Sequence, residues 1–206
     1  IVMKKYKPYD WTLLEDLIVY NTDTKVSSKI FDNQNSELCV EIGCGNGHFL
    51  TDTALNNPDK NYIGIEIKIG RIVRCIEKKV KNNLNNIKYI NNEAKFSLDF
   101  MFEDSSIDLI YMTFPDPWPK RKHHKNRLFS QEFLNSVFNK MKIGGLFVFI
   151  TDHEEYFKYS NDILVKDVRF EKTDRISSNT DFSTSLFGEK WKKENRNFYI
   201  LEFIKK

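Results

Sequence analysis

The 206-residue sequence predicts an α/β fold, a mostly parallel sheet with helices on both faces. Two observations carry this expectation. From Glu37 onward, short apolar runs alternate with segments whose apolar residues recur at helical spacing. The glycines and the polar residues of interest fall at the carboxyl ends of those runs, where crossover connections leave the strands of a parallel sheet.

The first run, residues 38–42, is followed at once by Gly43, Gly45 and Gly47, then by a helix over residues 48–56 that Asn-Asn-Pro ends. Residues 62–66 form a second strand. A helix over residues 69–82 follows, apolar at Ile69, Ile72, Val73, Ile76 and Val80. Residues 87–90 are a third strand, residues 94–101 a short helix and residues 107–112 a fourth strand. Ser130 caps the next helix, whose stripe is Phe133, Leu134, Val137, Phe138 and Met141, and which is expected to stop in a left-handed turn at Gly144-Gly145. A fifth strand over residues 146–150 and a helix over residues 154–164 complete the alternation. The last strand, residues 198–204, has no helix of its own and is expected to pair antiparallel at the sheet edge. Residues 1–36, with the aromatic cluster Tyr6, Tyr9 and Trp11 and a short helix over residues 12–20, read as an extension packing on a single domain of residues 37–206.

Composition narrows the class. Forty per cent hydrophobic and thirty per cent charged residues exclude a disordered chain and match one globular domain. A net charge of +3 does not by itself imply a polyanionic partner, so the placement of charge matters more than its total. Cys39, Cys44 and Cys75 are odd in number and form no C-x-x-C, which points to small buried hydrophobes in a reducing compartment. Residues 1–6 lack the apolar core of a signal sequence and no apolar run reaches membrane-span length; a cytoplasmic location, away from membranes, is expected.

The first strand-to-helix turn reads Glu41-Ile42-Gly43-Cys44-Gly45-Asn46-Gly47. This is G-x-G-x-G rather than the G-x-G-x-x-G of dinucleotide sites, and Glu41 would repel a pyrophosphate. A ligand with a positive amine and sulfonium suits it better, as S-adenosylmethionine does. Glu66 ends the second strand, where a carboxylate accepts from both ribose hydroxyls. Glu93 follows the third strand and has two readings, a contact to the adenine edge or a helix-starting carboxylate favoured by the dipole.

The fourth strand runs into Phe114-Pro115-Asp116-Pro117-Trp118-Pro119, whose three prolines hold Asp116 and Trp118 at the crevice mouth. Lys120 to Arg127 then supplies five permanent cations in eight residues, among them Arg121, suited to phosphates. His123 and His124 belong to that surface rather than to a metal site, since no third ligand is evident and no metal is expected.

The Glu41 glycine turn, Tyr62-Ile63-Gly64-Ile65-Glu66, the segment Phe114 to Lys120 and Phe149-Ile150-Thr151-Asp152 together resemble the bacterial tRNA (guanine-N7-)-methyltransferase family. The order and spacing match from about Lys7-Pro8 to the last residues. The resemblance implies a Rossmann-like class I methyltransferase with a seven-stranded sheet and an antiparallel edge strand, S-adenosylmethionine as methyl donor, and a guanine in the tRNA variable loop as target. It implies that Glu41, Gly43, Gly45, Gly47, Glu66, Glu93 and Asp116 hold the cofactor, that Asp116 is catalytic, and that Lys120, Arg121 and Asp152 meet the substrate. The family's T-x-Y-E-x-K segment aligns with Ser185-Leu186-Phe187-Gly188-Glu189-Lys190. Its Glu falls on Gly188; either Glu189 restores the carboxylate by a one-residue shift or that contact is missing.

Guanine N7 carries an in-plane lone pair and no hydrogen, so its methylation needs orientation and water exclusion rather than a general base. Two alternatives remain open at this level. One is a Rossmann methyltransferase acting on an exocyclic amine, although Asp116-Pro117-Trp118 has a single proline before its aromatic. The other is a tRNA-binding protein that holds S-adenosylmethionine with little turnover. A monomer, or a weak homodimer, is expected.

Overall fold

The computed structural model describes Leu17, Ile18, Asp23, residues 25–175 and residues 197–206. In chain order these form β1 (Leu38–Ile42), α1 (His48–Asn56), β2 (Asn61–Ile65), α2 (Ile69–Lys81), β3 (Ile87–Ile90) and α3 (Ala94–Phe96), which runs into a π-helical turn, Ser97–Met101. Then come β4 (Ile107–Thr113), a 3-10 turn (Arg121–Asn126), α4 (Gln131–Lys140), β5 (Met141–Thr151), α5 (Glu154–Leu164), β6 (Phe170–Thr173) and β7 (Tyr199–Lys205). Among the described residues no helix is long and apolar enough to cross a membrane.

The seven strands form one sheet in the order β3-β2-β1-β4-β5-β7-β6. Strands β1 to β5 are mutually parallel, and β7 runs antiparallel to both β5 and β6. Every residue of β1 and of β2 is buried, as a strand covered by helices on both faces must be. On one face Leu50 and Ala54 of α1 pack with Ile72, Cys75 and Ile76 of α2 against Cys39, Tyr62 and Tyr89. On the other, Leu98, Met101, Phe133, Leu134, Val137 and Tyr156 pack on Val40, Ile63, Ile110, Met112 and Phe149. Chain order reverses between β1 and β4, and ligands bind such sheets in the crevice beyond the carboxyl ends at that switch point.

Four elements differ from expectation. The final strand does pair antiparallel, but it lies one place inside the edge, and β6, which no apolar run announced, takes the edge itself. The helix over residues 94–101 is an α-helical turn continued as a π-helical one. Most of residues 12–20 lies outside the described residues; Leu17 makes a parallel bridge to Tyr89 and Ile18 N–H donates to Tyr89 at 2.8 Å, so this pair is extended rather than helical.

The fourth difference concerns α4, which stops at Lys140, well before Gly144. Tertiary partners end it. Ser105 and Ser106 N–H donate to the carbonyls of Asn139 and Lys140, and Lys205 Nζ donates to the carbonyls of Phe138 and Met141 at 2.8 Å each. These donors satisfy the orphan carbonyls that a left-handed glycine turn would otherwise serve. Gly144 keeps a left-handed φ of 76°, but within the entry to β5.

Candidate active site

The turn after β1 is wound tightly under the crevice. Gly43 and Cys44 N–H both donate to the carbonyl of Ile65, and Gly43, Gly45 and Gly47 all have φ between 57° and 73°. At Gly47 a second constraint applies, because an added Cβ would stand 2.8 Å from Cys75 Sγ on α2. The turn therefore needs glycine both for its backbone and for the approach of α2.

Glu41, at the carboxyl end of β1, is buried to 1% exposure. Thr113 at the end of β4 donates to its Oε1 at 2.6 Å, while Oε2 is buried with no partner. Burial raises this carboxyl to about 7; the Thr113 hydrogen bond opposes the rise and the charge of Glu66 adds to it. Glu41 and Thr113 line a cavity of about 250 Å³ together with Gly43, Gly45, Asn46, Phe49, Arg71 and Phe114. Asn46 adds a second buried, unpartnered side-chain oxygen there. Two orphaned acceptors in one small cavity ask for a ligand with donors or positive charge.

Glu66 is held from three directions. Lys68 N–H donates to Oε1 at 2.9 Å, Gly45 N–H to Oε2 at 3.1 Å, and Arg71 Nη1 to Oε2 at 3.3 Å. The same carboxylate thus fixes the glycine turn and the start of α2. Glu93 follows β3 and serves as the N-cap of α3, its two oxygens accepting from Lys95 and Phe96 N–H at 2.9 and 2.7 Å. Of its two readings, the helix-starting carboxylate is present in the structure.

The loop leaving β4 is held by specific contacts as well as by its prolines. Phe114 and Trp118 both take left-handed backbone, φ 48° and 45°, which costs a side-chain-bearing residue about 1–2 kcal/mol each. Asp116 is exposed, and its Oδ1 accepts from Trp118 N–H at 3.2 Å, closing an Asx turn. The Trp118 ring stacks on His123 at 5.8 Å between centroids. Lys120, Arg121, Lys122 and Lys125 are exposed on the 3-10 turn and its approach.

Arg127 corrects the expectation for the basic segment. Its side chain is only 1% exposed, donates to the Pro117 carbonyl at 2.8 Å and to Glu155 at 3.2 Å, and lies over the rings of Tyr156 and Tyr159. It also donates to His124. One of the five cations is therefore structural, and both histidines brace the loop. Asp152 is exposed and follows β5 at the same end of the sheet. Ser185, Gly188 and Glu189 lie outside the described residues.

Sequence reasoning did not single out Thr113, Arg71 or Arg127. Thr113 had a signal, as the hydroxyl residue ending β4, two residues beyond Tyr111, which pairs with Glu41 in the parallel register. Arg71 had none beyond its place in the first turn of α2. Arg127 was hidden inside a charge run.

A mostly parallel seven-stranded sheet, an antiparallel β7 and a carboxylate-lined glycine turn at the switch point define a class I S-adenosylmethionine-dependent methyltransferase. Solved structures agree on the fold. The aminoglycoside resistance methyltransferase NpmB1 superposes with a TM-score of 0.58 at 18% identity, over 82% of this chain and 87% of that one. The 16S rRNA methyltransferase KamB gives 0.59 at 11% identity, over 87% and 91%. A family model described as "Putative methyltransferase" matches residues 35–201. The tRNA (guanine-N(7)-)-methyltransferase of Chlorobium phaeobacteroides is 35% identical over 95% of this chain and 94% of its own length. That of Thermotoga maritima is 32% identical over 84% of this chain, which spans 55% of the Thermotoga protein. The chain belongs to the tRNA (guanine-N(7)-)-methyltransferase family.

Proposed function

We propose that this protein transfers a methyl group from S-adenosylmethionine to N7 of a variable-loop guanine in tRNA. One observation carries the reading: the buried, half-satisfied carboxylate of Glu41 lines a cavity that the stiff Asp116 loop adjoins through Thr113 and Phe114. The orphaned oxygens of Glu41 and Asn46 suit a cationic amino acid moiety, and Gly43, Gly45 and Gly47 let the backbone approach it. Glu66 serves the ribose, keeping its anchor on Gly45. S-adenosylmethionine supplies an electrophilic methyl on a sulfonium; the protein supplies position and dryness.

Asp116 acts by orientation. One of its oxygens is held by Trp118 N–H, and the other accepts from the guanine N1 and N2 hydrogens, turning N7 toward the methyl carbon. Lys120 and Arg121 neutralise phosphates or the guanine O6 edge, and Asp152 meets the substrate from the end of β5. Ser185, with Glu189 in place of the carboxylate missing at Gly188, completes the substrate contacts. Glu93 serves the adenine edge in addition to its cap. Residues 37–206 are the catalytic domain and residues 1–36 an extension of it, working in the cytoplasm as a monomer.

The test is nucleoside mass spectrometry of tRNA incubated with the protein and isotope-labelled S-adenosylmethionine. Label in 7-methylguanosine is expected. Label in a base methylated on an exocyclic amine, or none at all, would overturn the reading.

A further inference from the structure

A second cationic surface lies on α2. Arg71, Arg74, Lys78 and Lys81 follow one another at spacings of three and four, so they stand in one row on the helix, about 15 Å long. Ile72, Val73, Cys75 and Ile76 on the other side are buried in the core. The helix holds five basic residues against the single acid Glu77, although the whole chain carries only +3. Charge is thus concentrated here as it is on the turn after Lys120.

Two features separate this row from an ordinary solvated face. Arg74 and Lys78 are like charges four residues apart, which disfavours an isolated helix, and Glu77, three residues from Arg74 and four from Lys81, is the one acid on α2 that can offset them. Burial lowers the Lys78 ammonium from its usual range; Cys75, Glu77 and Asp52 oppose the fall and the Arg74 charge adds to it. The row also begins at the crevice. Arg71 lines the cavity and donates to Glu66, and Lys78 Nζ donates to the Asn46 carbonyl at 2.7 Å. Beyond them the exposed Arg74 and Lys81 line a shallow groove with Glu77.

Strand order gives the groove its meaning. Because β1 lies between β2 and β4, α2 and the loop leaving β4 approach the glycine turn from opposite sides. We infer that the Arg74–Lys78–Lys81 face of α2 binds the phosphodiester backbone of the same folded RNA whose guanine is presented at the crevice. It is a second phosphate-binding surface, across the cofactor turn from Lys120–Lys125. The inference rests on the reading of the protein as a tRNA methyltransferase.

The experiment uses the full chain carrying Arg74→Gln and Lys81→Gln, which leaves Arg71, Lys78 and the cavity untouched. S-adenosylmethionine affinity by calorimetry and kcat at saturating tRNA should match the wild type. The Kd for tRNA should rise on the order of tenfold at moderate salt, and the slope of log K against log salt should fall by about two. An unchanged slope and Kd, in a variant whose circular dichroism matches wild type, would overturn the inference while methylation by the wild type leaves the parent reading standing. A wild-type protein that neither binds nor methylates tRNA removes both.

Discussion

Arg127 Nε donates to the carbonyl of Pro117 at 2.8 Å, joining the far end of the basic segment to the proline-rich loop ten residues earlier. The guanidinium also lies 4.9 Å from the Tyr156 ring centroid and 5.2 Å from that of Tyr159. The loop that carries Asp116 is therefore tied to α5 by one planar cation.

Arg127→Lys should lower kcat by one to two orders of magnitude, because an ammonium cannot reproduce the fork and the ring stacking together. Affinity for S-adenosylmethionine should be nearly unchanged, since Arg127 is remote from the glycine turn. Losing these buried hydrogen bonds should cost about 2–3 kcal/mol in urea unfolding. Steady-state kinetics alongside calorimetry separates the two effects, and equal losses of kcat and cofactor affinity would refute the clamp.

Glu41 makes cofactor binding pH-dependent. Its carboxyl is raised from 4.5 to about 7 in the folded chain, so the folded state holds a proton that the unfolded state has lost. Stability is then highest below the unfolded value and falls as pH rises from about 4.5 to about 7, by roughly 3 kcal/mol as an upper limit. A cationic ligand favours the carboxylate, so its affinity should rise with pH across the same window and level off above it. Calorimetry in buffers of different ionisation enthalpy should detect a proton released near pH 6. Glu41→Gln should bind weakly and show neither proton release nor this pH dependence.

Glu93 holds two backbone N–H groups at the start of α3, and its proposed adenine contact can be separated from that cap. Glu93→Ser keeps a capping oxygen but shortens the side chain. If the adenine contact exists, the serine variant should lose about tenfold in S-adenosylmethionine affinity with its melting temperature nearly retained. Unchanged affinity would leave Glu93 a helix cap alone.

Lys205 ends α4 by donating to Phe138 and Met141 carbonyls, with its ammonium 4.2 Å from the Phe138 ring centroid. Lys205→Met should destabilise the protein by about 2–3 kcal/mol, because one buried and one part-buried carbonyl lose a charged donor. Turnover on tRNA should be preserved well below the melting temperature, since this contact lies at the amino ends of the strands. Chemical denaturation beside an activity assay checks both halves.

Much of the fold was legible because burial leaves a direct trace. The apolar runs of β1 to β5 and the stripe of α2 appear in the sequence at the periods that strands and helices impose. Where partners are distant, the trace vanishes. Gly144-Gly145 looked like the stop of α4, yet the helix ends where Ser105, Ser106 and Lys205 deliver donors from remote segments. The short β6, with only Phe170 fully buried, had too little apolar pattern to announce a strand.

The site divides the same way. By residue type and order alone, the sequence determined the carboxylates Glu41 and Glu66, the glycine turn and the stiff Asp116 loop, since each sits beside an element that its own neighbours specify. Only the tertiary structure decided how these groups are used. It left one oxygen of Glu41 unpartnered, bound Glu66 to the turn it faces, placed Glu93 as a cap and buried Arg127 as a clamp. A side chain's charge is written in the sequence, but whether that charge meets solvent, a ligand or a backbone carbonyl depends on contacts between distant segments.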